Sequence, residues 1–311
     1  MSRRRVGLWG VGALSLVMLV SACGSSDGDG GSAPSPSTSA SGGSSVSVVA
    51  STNVYGDIVR QIGGDQVEIT SIISDPSADP HSYEANTRTQ LQLSEADVVI
   101  ENGGGYDDFV DTMLKAANSD AKVLNAVDIS GKTASGGEEL NEHVWYDFPS
   151  MAKLTDAIAA ALATADPASA ATFNTNATAF KQKLTDLEAT EATIKSAHSG
   201  AGVAITEPVP LYLLEAAGLV NKTPEEFSEA IEEGTDVPAA VLKETTDLFA
   251  AKQVVLLAYN EQTAGPETEK VLAAAKDSNV AVVPVTETLP AGKDYVSWMS
   301  GTLSAVQTAL G

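Results

Sequence analysis

PASAATFNTNATAFKQKLTDLEATEATIKSAH, residues 167–198, is the stretch that decides how the rest of the chain is read. It is dense in Ala, Leu, Lys and Glu, which lose little freedom in a helix. Helix-forming composition begins at Phe148 and is broken only near Asp166-Pro167, where proline removes a backbone donor. At 1.5 Å per residue, 167–198 predicts a single helix of roughly 45 Å. A helix of that length must join or brace something larger, so the sequence on either side of it matters.

On the amino-terminal side, a β-branched run at 46–50 precedes apolar residues at helical spacing over 54–62, with Gly63-Gly64 as a stop. A strand at 67–73, a helix at 87–94, a strand at 98–101 and a helix at 106–117 follow. On the carboxyl-terminal side, strands at 202–206, 254–258 and 280–285 alternate with helices at 210–217, 238–250, 267–277 and 295–310. Such alternation builds βαβ units on parallel sheets. The expected fold class is α/β: two lobes, each a parallel sheet with flanking helices, joined by one long rigid interlobe helix. The expected boundaries are 46–148 for the first lobe, 149–199 for the helical linker and 200–311 for the second lobe.

The first residues have a different character. Met1-Ser2-Arg3-Arg4-Arg5, the apolar run 6–20 and the small residues before Cys23 predict a secretory signal peptide over 1–22 rather than a membrane span. Val20-Ser21-Ala22-Cys23 resembles a bacterial lipobox, which implies cleavage before Cys23 and its lipidation. Cys23 is the only cysteine, so it has no disulfide partner and cannot join a thiolate metal site. Residues 23–45, almost all Gly, Ser, Ala, Pro, Asp and Thr beyond the cysteine, form the expected disordered tether. The formal charge is −23, and loss of Arg3, Arg4 and Arg5 with the leader takes it to −26. Such a surface disfavours nucleic acid and anionic lipid and favours cations.

Ligand sites in open parallel sheets lie beyond the carboxyl ends of the strands. Four loops there offer candidates. His81 sits in Asp79-Pro80-His81-Ser82-Tyr83-Glu84, where proline fixes the backbone before the ring and Glu84 is close enough to orient it. His143 sits in Asn141-Glu142-His143-Val144-Trp145-Tyr146-Asp147, with Asp147 placed to cap the following helix or to support the ligand. Glu207 and Glu287 each follow a strand directly, and each also reads as an ordinary acid at a turn or helix start. Glu261 follows a strand too and rivals Glu287. His198 closes the long helix, where the dipole suits it without a metal. Asn102-Gly103-Gly104-Gly105 lacks a following Gly-Lys-Ser/Thr and runs into Asp107-Asp108, so it reads as a tight turn rather than a phosphate loop.

Taken together, these motifs resemble the zinc/manganese solute-binding proteins of bacterial ABC importers (cluster A-I), over Val46 to the C-terminus. The resemblance implies metal ligands at His81 and His143 from one lobe and Glu207 and Glu287 from the other. It further implies an extracytoplasmic lipoprotein, a monomer anchored to the membrane through Cys23, that captures a divalent metal and delivers it to an ABC permease. Zinc-specific members usually carry histidine where this chain has Glu207, the fourth position is usually Asp rather than Glu287, and no His-rich loop precedes the second motif. Two imidazoles with two carboxylates form a harder donor set than three histidines. That leans slightly to Mn2+, with Zn2+ close and Fe2+ admissible. The rivals are a metal-dependent hydrolase, which would keep an open coordination position and need a separate general base, and an organic-solute-binding lipoprotein. No convincing run of aromatic and Arg residues supports the latter.

Overall fold

Two four-stranded parallel sheets flank the long helical segment. The computed structural model describes residues 45–77, 80, 83–84, 86–134 and 140–311. The expected leader, Cys23, nearly all of the tether and His81 lie outside the described residues.

The first sheet comprises β1 (Val46–Thr52), β2 (Val67–Ile73), β3 (Val98–Glu101) and β4 (Lys122–Asn125) in the order β2-β1-β3-β4, all parallel. Helices α1 (Asn53–Gly63), α2 (Thr87–Ser94), α3 (Phe109–Ala117) and α4 (Ala126–Ser130) connect or follow its strands. Then come α5 (Phe148–Ala165) and α6 (Ala170–His198). The second sheet, β5 (Gly202–Ile205), β6 (Val220–Asn221), β7 (Leu256–Asn260) and β8 (Ala281–Val285), has the matching order β6-β5-β7-β8. Its helices are α7 (Leu211–Ala216), α8 (Glu225–Glu232), α9 (Ala239–Ala250), α10 (Pro266–Asp277) and α11 (Tyr295–Leu310).

Side chains alternate across a strand, so each sheet feeds two cores. Val48, Ala50, Val98 and Ile100 on the inner face of the first sheet join Val203, Ile205, Leu256, Ala258, Val283 and Val285 of the second in one continuous core. Smaller cores lie on the outer faces, around Val49, Val99 and Val110 in one lobe and Ala204, Leu257 and Phe227 in the other. Gly202 is required where it stands, because a Cβ there would lie 2.2 Å from the Gln253 carbonyl oxygen.

Helix α6 has 29 residues, a length of about 44 Å. It packs on α1 and α5 of the first lobe and on α7 and α11 of the second. Its buried residues, Phe173, Ala177, Phe180, Leu184, Leu187, Glu191 and Ile194, fall at alternating four- and three-residue spacing, a narrow seam of the coiled-coil kind. Helix α5 departs from the expectation of a simple linker. Met151, Leu154, Ile158 and Leu162 are buried, and the helix packs on β4, α4 and α1, so it also covers the first sheet.

Other boundaries moved for local reasons. The strand expected at 254–258 lies at Leu256–Asn260, where all five residues pair with Ala281–Val285 of β8. The helix expected from residue 106 begins at Phe109. Gly103, Gly104 and Gly105 all adopt positive φ and form a tight turn closed by the Asp107 carboxylate. The Asn102 and Gly103 amides donate to that carboxylate at 2.6 and 2.8 Å. A carboxylate therefore occupies the anion-binding turn, in keeping with the rejection of a phosphate loop.

Candidate metal centre

Loops at the carboxyl ends of the two sheets meet and exchange hydrogen bonds. The side chain of Asn53, the first residue of α1 directly after β1, donates to the Leu289 carbonyl at 3.0 Å and accepts from the Leu289 amide at 2.8 Å. The Pro76 carbonyl, in the loop after β2, accepts from Gln262 at 3.3 Å and Thr288 at 3.1 Å. Tyr146 donates to the Thr286 carbonyl at 2.9 Å, Tyr212 to the Asn141 carbonyl at 2.6 Å, and Asn141 to the Pro208 carbonyl at 3.1 Å. The loops are thus fastened across the joint before any ligand is considered.

His143 stands at the centre of this joint with no exposed side-chain surface. Its Nδ1 lies 2.8 Å from Asn141 Oδ1, and the same oxygen accepts the His143 amide at 3.1 Å. Because the Asn141 amide nitrogen is committed to Pro208, Oδ1 acts as acceptor and Nδ1 carries the proton. That leaves the lone pair on Nε2, the arrangement of a ligating histidine held by a neighbour. Tyr106 and Trp145 enclose the ring, with centroids at 6.0 and 5.0 Å.

The carboxylates come from the second lobe. Glu207 follows β5 and is 2% exposed; Thr263 donates its hydroxyl to Glu207 Oε2. Glu287 follows β8 and is 1% exposed. Asn260, the last residue of β7, donates to its Oε1 at 2.9 Å, and Tyr106 from the first lobe to its Oε2 at 3.2 Å. Tyr106 therefore packs against His143 and bonds Glu287, so one side chain links the two expected ligands.

Two acids not singled out as donors in the sequence lie beside His143. Glu142 and Glu232 join His143 in a group whose ligand atoms all lie within 4.8 Å of one another. Glu232 Oε1 is 3.6 Å from His143 Nε2. Burial pushes the Glu232 carboxyl far above its usual range, and Glu142, Glu207 and Glu287 push it further. Carboxylates gathered in a dry site disfavour one another's ionised forms, and a cation among them reverses that penalty. Glu232 went unnoticed because α8 was not predicted at all. Its signals were present: Pro224 with Glu225 and Glu226 in the first turn, Phe227, Ala230 and Ile231 at helical spacing, and Gly234 beyond the end.

The supporting candidates divide. Asp147 is the N-cap of α5, accepting from the Ser150 amide at 3.0 Å, and pairs with Lys132 at 3.0 Å. Glu84 is exposed. Glu261 is also exposed, its amide directed to the Val285 carbonyl at 3.4 Å, whereas Glu287 is buried in the cluster.

Two parallel-sheet lobes, a long bracing helix and a buried imidazole–carboxylate cluster where their loops meet define a solute-binding fold with a cleft suited to a metal ion. The chain belongs to the ZnuA family, zinc-uptake complex component A, periplasmic, whose profile matches residues 48–309. It is 31% identical over 148 residues to the manganese-binding lipoprotein MntA of Bacillus subtilis (strain 168), covering 46% of this chain and 48% of that protein. It is 26% identical over 231 residues to the manganese ABC transporter substrate-binding lipoprotein scaA of Streptococcus gordonii, covering 66% and 74%. The match to the Bacillus protein thus spans about half of that relative's length. Among solved structures, the periplasmic zinc-binding protein TroA from Treponema pallidum superposes with TM-score 0.72 at 18% identity, covering 86% of this chain and 99% of that one. A crystal structure of ZnuA gives 0.70 at 20%, with the same coverage.

Proposed function

We propose that this protein captures a divalent transition-metal ion in the extracytoplasmic space and hands it to the permease of an ABC importer. The observation that carries the reading is the convergence of His143 with Glu207 and Glu287, each buried and each supported by a neighbouring polar group. The proposed ligands are His81, His143, Glu207 and Glu287. Donors from both lobes make binding sensitive to lobe position, so the loaded form can present a distinct surface to the permease. Two imidazoles and two carboxylates suit Mn2+ slightly better than Zn2+, and Fe2+ remains admissible. The anchor is a lipid on Cys23, and the protein acts as a monomer that binds and releases without catalysing a reaction.

The test is thermal unfolding of chelator-stripped protein. Mn2+ or Zn2+ at about 100 times Kd is expected to raise Tm by about 5–10 °C. Glu287→Gln is expected to abolish that rise while leaving the metal-free Tm near wild type. A Glu287→Gln protein that responds to metal like wild type contradicts the ligand assignment. No response from the wild-type protein to either metal favours an organic solute.

A further inference from the structure

The proposed ligands that can be seen are sealed, yet a cation must reach them. His143 has no exposed side-chain surface, Glu207 is 2% exposed and Glu287 1%. The Glu232 side chain is 12% exposed. It therefore stands between the buried donors and solvent, in contact range of Nε2 of His143 on one side. On its other side lies a cleft of about 630 Å³ whose lining includes Glu142, Glu215, Glu225, Glu229, Glu232 and Glu233. A cleft lined by one sign of charge raises the local concentration of the opposite ion and speeds its arrival.

The placement of Glu232 costs the fold something. It is the last residue of α8, followed by Glu233 and then Gly234 in the left-handed region. The carboxyl end of a helix carries partial negative charge, so acids there are unfavourable by a few tenths to about 1 kcal/mol each. Local choices that oppose the fold concentrate where function demands them. The same helix end attracts a cation.

We propose that Glu232, assisted by Glu142, is the loading arm of the metal site: it takes the incoming divalent cation together with His143 Nε2 and passes it inward to Glu207 and Glu287. This rests on the metal-binding reading above and adds to it a residue outside the four proposed ligands. Transfer is a ligand exchange, in which carboxylate oxygens of Glu232 and Glu142 are replaced by those of Glu207 and Glu287 while the imidazole stays in contact. The arm governs how fast the site fills more than how tightly it holds.

The experiment is stopped-flow mixing of chelator-stripped full-length protein with Mn2+ alone, and separately with Zn2+ alone, read by tryptophan fluorescence. Trp145 reports directly, its ring lying 5.0 Å from that of His143. Glu232→Gln is expected to slow association at least tenfold while raising the equilibrium Kd by less than the association rate falls. Glu142→Gln is expected to slow it several-fold, and exposed Glu233→Gln by less than twofold. If Glu232→Gln fails to fold, Glu142→Gln carries the test alone. Unchanged association in these variants overturns the loading arm while leaving metal binding intact. Loss of affinity through faster dissociation at normal association also overturns it, making Glu232 a permanent ligand. Absence of binding by the wild-type protein instead removes the metal-binding reading itself.

Discussion

At the scale of single residues, Asn141 decides what His143 can do. Its Oδ1 holds Nδ1 at 2.8 Å while its amide nitrogen reaches Pro208 across the joint, so tautomer and lobe contact are fixed by one side chain. Asn141→Ala is expected to weaken metal binding about 10–100-fold, the usual loss for a group that orients a ligating histidine. Competition with a metallochromic chelator measures it. An affinity within twofold of wild type means that the ring is oriented by Tyr106 and Trp145 packing instead. Tyr106, Asn260 and Thr263 play comparable supporting parts for the carboxylates. None of them was legible in the sequence, because each reaches its partner from a different strand or lobe and no local spacing connects them. The burial of His143, Glu207 and Glu287 at the joint involves residues the sequence could single out, because each follows strand-like sequence or sits in a distinctive local motif; their role as ligands is the proposal.

At the scale of elements, α6 shows both what pattern reveals and what it hides. Its existence and length follow from helix-forming composition between Pro167 and His198, whereas the seam that joins it to both lobes includes Glu191, where an apolar residue would pack better. Burial pushes the Glu191 carboxyl up to about 8, with Glu188 and Asp147 adding to the effect. Its folded pKa thus lies above the ordinary value of 4.5. The protonated acid favours the folded state, a contribution fully present below about pH 4.5 and lost as pH rises through about 8. Glu191→Gln is therefore expected to stabilise the protein by about 2–4 kcal/mol at pH 8.5 and by little at pH 4.5. Urea unfolding midpoints at the two pH values check this, and an equal effect at both contradicts the burial account. The elements that escaped the sequence reading are the short ones. β6 has two residues and α4 five, too few for a hydrophobic period to emerge, and β4 flanks its two apolar residues with Lys122 and Asn125, unlike the equally short β3 with its run Val98-Val99-Ile100. α8 has eight, and its acid-rich face obscured its buried Phe227 and Ala230.

At the scale of the whole molecule, the inner faces of both sheets and α6 share one core, and hydrogen bonds tie the loops across the joint. Wide hinge opening would break these together, so loading is expected to proceed through loop adjustments and small lobe shifts. Small-angle scattering of stripped and loaded protein should give radii of gyration that agree within error; a measurable contraction on loading contradicts a braced joint. The acidic balance of the chain fits the same picture, since a net charge of −23 draws cations towards an acid-lined cleft. The most direct test of the metal-binding account is anomalous diffraction from crystals of the loaded protein at the Mn or Zn absorption edge. One strong peak is expected in coordination range of His143 Nε2 and the carboxylates of Glu207 and Glu287. No peak there, or a peak held by other residues, contradicts it.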